Sequence, residues 1–532
     1  MRSDEVLDMI KAWIQKCLHS HKYCSSHGGA GLPTRVIDVG GTDSVGDPRL
    51  LLSEDASKNE VRGFEVDSRY VALSYCWGDR EELKQRPSLV TTSATLRDHL
   101  RSLPLSRLLR TIVDAIVLTR RLGVRYLWVD RLCIIQDCAE DWEIESSKMS
   151  AIYGGAFLTF AAAWGSSVHD GLFTVRPSNI EESVELFWRS PSNPSFKGNI
   201  RLAQQRRLVN SWEEPLYSRG WTLQERILSP RVLIYNRDQL AWECQNEQFT
   251  ESGCAMNGLG SMRLDREFSS KLVGDSTVFP KTWQCIVTDY SKKSHTVASD
   301  KLPAIAGIAK KFHEFHLDEY LAGLWRNSLL DDLLWVHGRF RPSPNYNNEE
   351  YRAPSWSWAA VNGYVRWPFA NRNGTYPHFS KLVDYEITKK GRDEFGQVSD
   401  GYIVLEGPTW RLPTEANSAL EGYNTFSASI LHDRKARWPR LLSDGIFDKI
   451  EGVPFIEAYA LESNAYGHLL SVLRVSHTGG LLLALDEEKT SSEGRCVYTR
   501  VGVIISDDRF TEDSQRIDWD VLTWTPRVCK IH

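Results

Sequence analysis

Hydrophobic residues in the first third of the chain fall into three short apolar runs separated by amphipathic segments. The runs cover residues 70–76, 126–129 and 157–163, and each has the length of a buried β-strand. Between the first two runs, residues 105–116 carry apolar side chains at helical spacing, and a second helix is predicted over 140–153. Strands that alternate with helices predict βαβ units and a parallel sheet.

Polar residues follow two of these strands at the points where the strands end. The first strand runs into a Trp-Gly-Asp turn, and the second ends on an aspartate that begins a polar loop. Ligands of open α/β sheets bind at the carboxyl ends of the strands, so this edge is the predicted binding site. The residues that we expect to line it are Tyr75, Trp77, Gly78, Asp79, Asp130, Cys133 and Gln136.

Two glutamates occupy helix faces that are otherwise apolar. Glu145 lies on the helix before the third strand, and Glu225 lies on a helix predicted over 221–228. A carboxylate in such a place must find a partner or raise its pKa. One alternative makes Glu145 or Glu225 a catalytic acid/base or a ligand of a ribose hydroxyl. The other makes them structural partners of arginines such as Arg219 or Arg226.

The cysteines give little support for a metal or nucleophile. Cys17, His21 and Cys24 share one face of an N-terminal helix, but three ligands without an evident fourth are better explained as core packing. We therefore predict no structural metal. No histidine lies near Cys133 in the sequence, so a buried thiol is the favoured interpretation of that residue.

A chain of 532 residues is too long for a single hydrophobic core. Four regions are predicted: an N-terminal helix and loop (1–65), an α/β domain (66–245), a linker and helical region with a helix over 320–335 (246–345), and a β-rich C-terminal domain (346–532). In the last region, the strands are predicted at 355–360, 402–406, 469–475, 481–485 and 496–505. Short strands with Gly- and Asp-rich turns are typical of a sandwich or barrel.

Composition excludes several functional classes. A net charge of −5 argues against a nucleic-acid partner, and no apolar run approaches the ~20 residues of a membrane span. The start of the chain lacks a signal peptide, and its ten cysteines have no paired spacing, so we expect reduced thiols and a cytoplasmic location. The dinucleotide-binding, P-loop and serine-hydrolase motifs are absent from the sequence.

Four motifs make the chain recognisable. The motifs are SYCWGD (74–79), YLWVDRLCIIQD (126–137), DWEIESSKMSAIYGGAFLTFAAA (141–163) and RGWTLQERILSPR (219–231). Together and in this order, they resemble the fungal heterokaryon-incompatibility (HET) domain over residues 66–245.

This resemblance implies a cytosolic protein of self/non-self recognition that promotes cell death when different hyphae fuse. It also implies a three-layer fold related to the Toll/interleukin-1 receptor (TIR) domain, whose members are either NAD-cleaving enzymes or assembly modules. In the enzyme alternative the two loops hold NAD, Tyr75 and Trp77 stack on a base, and Glu145 engages the ribose. In the other alternative the same loops bind protein partners or a second copy. No further cofactor is implied.

Overall fold

The computed structural model describes most of the N-terminal half of the chain and separate parts of the rest. The described residues are 4–21, 24, 31–55, 68–85, 89–173, 183–189, 197–203, 214–252, 278–337, 351–367, 378–411, 457–460, 470–474, 479–486, 497–505 and 525–532. They divide into two compact units, Met1–Phe268 and Ser269–His532. The predicted boundaries at 245 and 345 stay predictions, and most of the predicted linker lies outside the described residues.

A mixed eight-stranded sheet forms the centre of the first unit, in the order β10-β9-β8-β5-β3-β4-β1-β2. A separate hairpin consists of β6 and β7. The ten strands are β1 (Arg35–Asp38), β2 (Arg49–Leu52), β3 (Tyr70–Ser74), β4 (Tyr126–Trp128), β5 (Leu158–Ala161), β6 (Ser183–Arg189), β7 (Lys197–Ala203), β8 (Arg231–Tyr235), β9 (Leu240–Cys244) and β10 (Gln248–Thr250).

One helix precedes the strands of this sheet in the chain, and the other helices described for this unit connect the central strands. In chain order, the helices are α1 (Asp4–Ser20), α2 (Arg80–Gln85), α3 (Leu96–His99), α4 (Arg110–Arg121), α5 (Asp130–Cys133), α6 (Ala139–Ser147), α7 (Met149–Gly155) and α8 (Trp221–Leu228). Every residue of β3, β4, β5 and β8 is buried, as expected for parallel strands in a covered sheet.

The order of the parallel strands locates the expected ligand edge. β3 pairs in parallel with both β4 and β5, and β5 pairs in parallel with β8. The four parallel strands occur along the chain as β3, β4, β5 and β8, and they lie in the sheet in the order β8-β5-β3-β4. Counted from the first strand, this order is 4-3-1-2, the flavodoxin-like doubly wound order, with its switch point between β3 and β5. The predicted parallel sheet is therefore confirmed. The two polar loops follow β3 and β4, which are neighbours on the side of β3 away from the switch point.

One N-terminal prediction is corrected. In the region predicted as helix and loop (1–65), residues 28–46 are rich in glycine and aspartate apart from a short apolar patch at 36–39, and they were expected to form a loop. This patch overlaps β1, and all four residues of β1 are buried. At the polar end of β1, both carboxylate oxygens of Asp38 accept bonds of 2.9 Å from Arg125, whose side chain is 54% exposed. A strand of only four residues among glycines and aspartates is hard to distinguish from a loop in the sequence.

The helical part of the second unit contains α9 (Val278–Tyr290), α10 (Pro303–His316) and the single turn α11 (Leu329–Asp332). The helix expected over 320–335 is wrong, because two short strands, β11 (Tyr320–Leu321) and β12 (Leu324–Trp325), flank a tight turn. Gly323 in this turn has φ +104°, and a Cβ there would lie 2.7 Å from the indole nitrogen of Trp358. No helix in the described ranges is long and apolar enough to cross a membrane.

A β-rich part completes the second unit, as predicted. The strands are β13 (Val336–His337), β14 (Val365–Arg366), β15 (Lys381–Lys389), β16 (Val398–Arg411), β17 (Glu457–Ala460), β18 (Leu470–Arg474), β19 (Gly479–Asp486), β20 (Val497–Ile505) and β21 (Thr525–Ile531). Of these, β13 and β14 form a two-stranded sheet, and β15 to β21 form a seven-stranded sheet. Because β21 pairs with both β16 and β20, the strands β16, β18, β19, β20 and β21 form a closed ring of paired strands, which is typical of a small barrel. The strand predicted at 355–360 is wrong, since Trp358–Ala360 forms a 3-10 turn.

Candidate functional site

The two polar loops meet at the carboxyl edge of the parallel strands. The indole N–H of Trp77, which follows β3, donates to Asp130 Oδ2 at 2.8 Å. The other oxygen of Asp130 accepts the backbone N–H of Arg131 at 2.7 Å. Burial raises the pKa of Asp130, although these bonds and the charge of Arg219 oppose the shift. The predicted convergence of the two loops is confirmed.

Arg131 is a buried cation with unused hydrogen-bond donors. Its side chain is 5% exposed and its guanidinium lies 4.7 Å from the centre of the Trp77 ring. Within the described residues, Nε and Nη1 of Arg131 have no hydrogen-bond partner. Buried guanidinium groups are normally paired, and their planar fork fits phosphate or carboxylate oxygens. The residue is therefore suited to an anionic ligand.

Glu225 on α8 brings a second carboxylate to the same edge. The hydroxyl of Ser74, the last residue of β3, donates to Glu225 Oε2. Burial raises the pKa of Glu225 to about 7, with the negative charge of Asp130 adding to the effect and Ser74 and Arg219 opposing it. A carboxyl group that titrates near neutral pH has the property required of an acid/base catalyst.

Arg219 and Tyr75 connect these two carboxylates. Arg219 donates through Nη1 to the carbonyl of Tyr75, and its positive charge acts on both Glu225 and Asp130. The Tyr75 hydroxyl is buried and makes no hydrogen bond within the part of the chain that the structure describes. Burial, with the charge of Asp130, raises its pKa well above 10.

Other residues predicted for the site shape the loops. Gly78 has φ +94°, and a Cβ there would lie 2.8 Å from Ser167 Oγ, so only glycine fits without strain. The Gln136 amide donates to the carbonyls of Asp130 and Ile134, both at 3.1 Å, and closes the second loop. Asp79 is exposed and accepts the backbone N–H of Glu82 at 2.7 Å, which caps α2.

Cys133 is a buried thiol, as expected. Its Sγ accepts the backbone N–H of Val129 at 3.5 Å. Burial raises the pKa of Cys133 to about 12, which keeps the sulfur protonated and unreactive at neutral pH.

Glu145 lies apart from the cluster around Glu225. Its side chain is 1% exposed, and its Oε1 pairs with Lys148 at 3.1 Å. Lys148 also donates to the Thr34 hydroxyl at 2.9 Å, so these contacts lead towards β1 rather than to the loop after β3. The structure thus joins Glu225, Asp130 and Trp77, whereas it pairs Glu145 with a lysine.

The expectation about the N-terminal cysteines needs a correction. Cys17, His21 and Cys24 do have a fourth metal-ligand side chain beside them, because Cys244 at the end of β9 joins the group. All four are buried, and their ligand atoms lie within 4.8 Å of one another. Spacing along the chain could not show this, since the fourth member comes from a strand far away in the sequence.

A family model for the heterokaryon incompatibility protein (HET) matches residues 70–225. The chain carries a HET domain. The match begins at the first residue of β3 and ends at Glu225, so the HET domain contains both halves of the polar cluster. No curated protein matches the chain, and no solved structure matches it either.

Sequence reasoning missed two contributors to the HET-domain cluster, and it considered Arg219 only as an ion-pair partner of the glutamates. Ser74 and Arg131 each lie inside one of the motifs that identify the domain. They were overlooked because a serine at a strand end and an arginine beside polar residues are typical of solvated positions. Only the fold shows that these side chains meet Glu225, Trp77 and Asp130.

Proposed function

We propose that the HET domain binds NAD at the edge formed by β3, β4 and α8 and cleaves the bond between nicotinamide and ribose. In this proposal the chain acts in the cytosol as an effector of self/non-self recognition, and loss of NAD leads to cell death or growth arrest. The observation that carries the proposal is the pair of buried carboxylates, Asp130 and Glu225, together with Arg131, whose Nε and Nη1 have no hydrogen-bond partner among the described residues.

The binding step follows from the charges at this edge. The free donors of Arg131 would bind the diphosphate of NAD, because charge-assisted bonds from a guanidinium fork are strong and directional. Trp77 is half-buried, which leaves part of the indole accessible to a base. Gly78 allows the backbone to approach the ligand, since it carries no Cβ.

The chemical step would be a hydrolysis. The oxygen of a water molecule bonds to C1′ of the ribose, the C1′–N bond breaks with its electron pair going to nicotinamide, and the water proton is released. Glycosidic cleavage passes through a cation-like sugar, which a carboxylate stabilises. Glu225 in its ionised form would stabilise this charge and accept the proton, and the Ser74 hydroxyl would hold its carboxylate in position.

The same geometry favours Glu225 over Glu145 for this role. Glu225 lies on the ligand edge with a pKa of about 7, whereas Glu145 forms an ion pair with Lys148. The role that the TIR resemblance suggested for Glu145 is therefore assigned to Glu225 in our proposal.

The test is nicotinamide release by the purified full chain incubated with NAD, with ADP-ribose as the second product. We expect release, and we expect Arg131→Met to raise KM at least ~10-fold because a phosphate contact is lost. Arg101→Met is the control, because Arg101 is 74% exposed. Absence of release by folded wild-type protein would contradict the proposal.

Assembly through protein contacts is a second candidate function. Three consecutive apolar side chains on β6 are exposed: Leu186 by 47%, Phe187 by 69% and Trp188 by 40%. Exposed apolar residues in a group mark protein–protein contacts. If recruitment is the function, Phe187→Ser should abolish self-association or partner binding, measured as molar mass in solution, in a protein that releases no nicotinamide.

A further inference from the structure

Four metal-ligand side chains from distant parts of the HET-containing unit meet in its interior. Cys17 is the ligand on α1, His21 and Cys24 follow this helix, and Cys244 ends β9. The Nδ1 of His21 lies 3.8 Å from the sulfur of Cys24 and 3.3 Å from that of Cys244. Zn–N bonds of ~2.0 Å and Zn–S bonds of ~2.3 Å place tetrahedral nitrogen and sulfur ligands roughly 3.6 Å apart.

The orientation of His21 matches that of a metal ligand. Its Nδ1 faces the sulfurs, and its Nε2 lies 3.5 Å from Glu247 Oε2. Metal-bound histidines commonly direct their second nitrogen to a carboxylate, which fixes the tautomer and the ring. Lys16 holds this carboxylate in place through a contact of 2.7 Å.

Core packing alone does not account for these contacts. Thiols that act as small apolar groups pack against aliphatic side chains, whereas Cys24 and Cys244 here both contact an imidazole nitrogen. The backbone N–H of Glu247 also lies 3.4 Å from the Cys244 sulfur, to which it donates. Bonds of this kind stabilise a metal-bound thiolate.

A buried arginine supplies the charge that such a site requires. Arg231 is 0% exposed and donates to the carbonyl of Cys24. A divalent cation with three thiolates and one neutral imidazole carries a net charge of −1, and a buried net charge is costly without a counterion. The guanidinium of Arg231 provides the opposite charge beside Cys24.

We propose that Cys17, His21, Cys24 and Cys244 bind one zinc ion in a closed, tetrahedral structural site. Three sulfurs and one nitrogen suit zinc and disfavour magnesium or calcium, which prefer oxygen ligands. Four protein ligands leave no open position for water, so the ion is structural rather than catalytic.

Such an ion would join the N-terminal helix to the end of β9, the second strand from one edge of the main sheet. Around it, Trp13 of α1 already packs against Trp242 and Phe249, with ring centres 6.3 and 5.2 Å apart. Zinc binding stabilises the fold because the unfolded chain has no preformed site. The site is independent of the proposed NAD chemistry.

The first test is the metal content of the full chain, expressed with zinc and purified under reducing conditions. We expect close to one zinc per chain, and we expect Co²⁺ in its place to give the intense visible absorption of a tetrahedral sulfur-rich site. Folded wild-type protein that lacks stoichiometric metal and takes up neither Zn²⁺ nor Co²⁺ would overturn the proposal. A disulfide among these cysteines, detected by mass, would also overturn it.

The second test uses a ligand variant and a matched control. Cys244→Ser should lose the zinc, whereas Cys133→Ser should keep it, because Cys133 is equally buried but lies outside the group. If Cys244→Ser does not fold, a chelator added to wild-type protein should lower Tm, and added Zn²⁺ should restore it. Full zinc content in folded Cys244→Ser, or a Tm unchanged on complete removal of zinc, would contradict the assignment.

Discussion

Two buried glutamates near α8 have opposite environments. Glu243 on β9 is 1% exposed and binds Arg226 through both oxygens, one of them at 2.8 Å from Nε. Glu225 is 8% exposed and accepts from the Ser74 hydroxyl, and within the described residues it has no ion pair. Glu243 is therefore a structural residue. The pKa of Glu225, by contrast, is raised to about 7, and a carboxyl group with such a shifted pKa is a candidate functional residue.

Two arginines show the same contrast. Arg35 binds both oxygens of Asp141, at 2.6 and 2.5 Å, and also donates to the carbonyl of Cys133. Arg131, equally buried, leaves Nε and Nη1 without partners in the described structure. Arg35 is therefore a scaffold residue, whereas Arg131, at the ligand edge, has donors without partners among the described residues.

The largest effect on stability should come from breaking a scaffold pair. Arg226→Met leaves the buried Glu243 carboxylate without its counterion, which typically costs 3–5 kcal/mol in the free energy of unfolding. Urea denaturation at neutral pH measures this loss, with Arg101→Met as the exposed control. A loss below ~1 kcal/mol would show that the ion pair with Arg226 contributes little to stability, and it would contradict the structural role that distinguishes Glu243 from Glu225.

Glu225→Gln should alter the pH dependence of stability instead. Folding raises the pKa of Glu225 from 4.5 to about 7, so between these pH values the native protein holds a proton that the unfolded chain has released. Wild-type stability should therefore fall as pH rises through this window, by about 3 kcal/mol at ~1.4 kcal/mol per pKa unit. Glu225→Gln removes the titrating group, so the free energy of unfolding of the variant, relative to that of wild type, should increase from pH 4.5 to 7. If denaturation experiments showed the same pH dependence of stability for both proteins, the raised pKa of Glu225 would be contradicted.

Glu145→Gln should have the smallest effect of the three. Glu145 is 1% exposed, but its partner Lys148 is 44% exposed, so the substitution leaves no buried unpaired cation. Because solvent screens the lysine side of the pair, we expect a loss of about 1 kcal/mol or less. Thermal and urea unfolding of this variant should match wild type within that range. A loss of several kcal/mol would place Glu145 with the scaffold carboxylates such as Glu243.

The elements at the centre of the first unit were predictable because their patterns are local. Three apolar runs bounded by polar turns identify β3, β4 and β5, and the helix expected over 221–228 is observed at Trp221–Leu228. The prediction failed where distant contacts decide the structure. The four-residue strand β1 is formed by its pairing with β2 and β4, and Trp358 packs against Gly323, where a helix was expected.

The candidate site was predictable in position but not in composition. Strand ends place Trp77 and Asp130 together, which follows from parallel-sheet geometry alone. Helix periodicity identifies Glu145 and Glu225 equally, and only the contacts of Lys148 and Ser74 separate them. The fourth ligand of the cysteine cluster depends on the position of β9 beside α1, which no local pattern specifies.

The most direct test of the account compares nicotinamide release by wild type, Glu225→Gln and Glu145→Gln under identical conditions. The account predicts a loss of ~10²-fold or more for Glu225→Gln, typical of a missing acid/base, in a protein that remains folded. It predicts near wild-type release for Glu145→Gln. Full release by Glu225→Gln, or loss confined to Glu145→Gln, would contradict the assignment of the site to the strand edge.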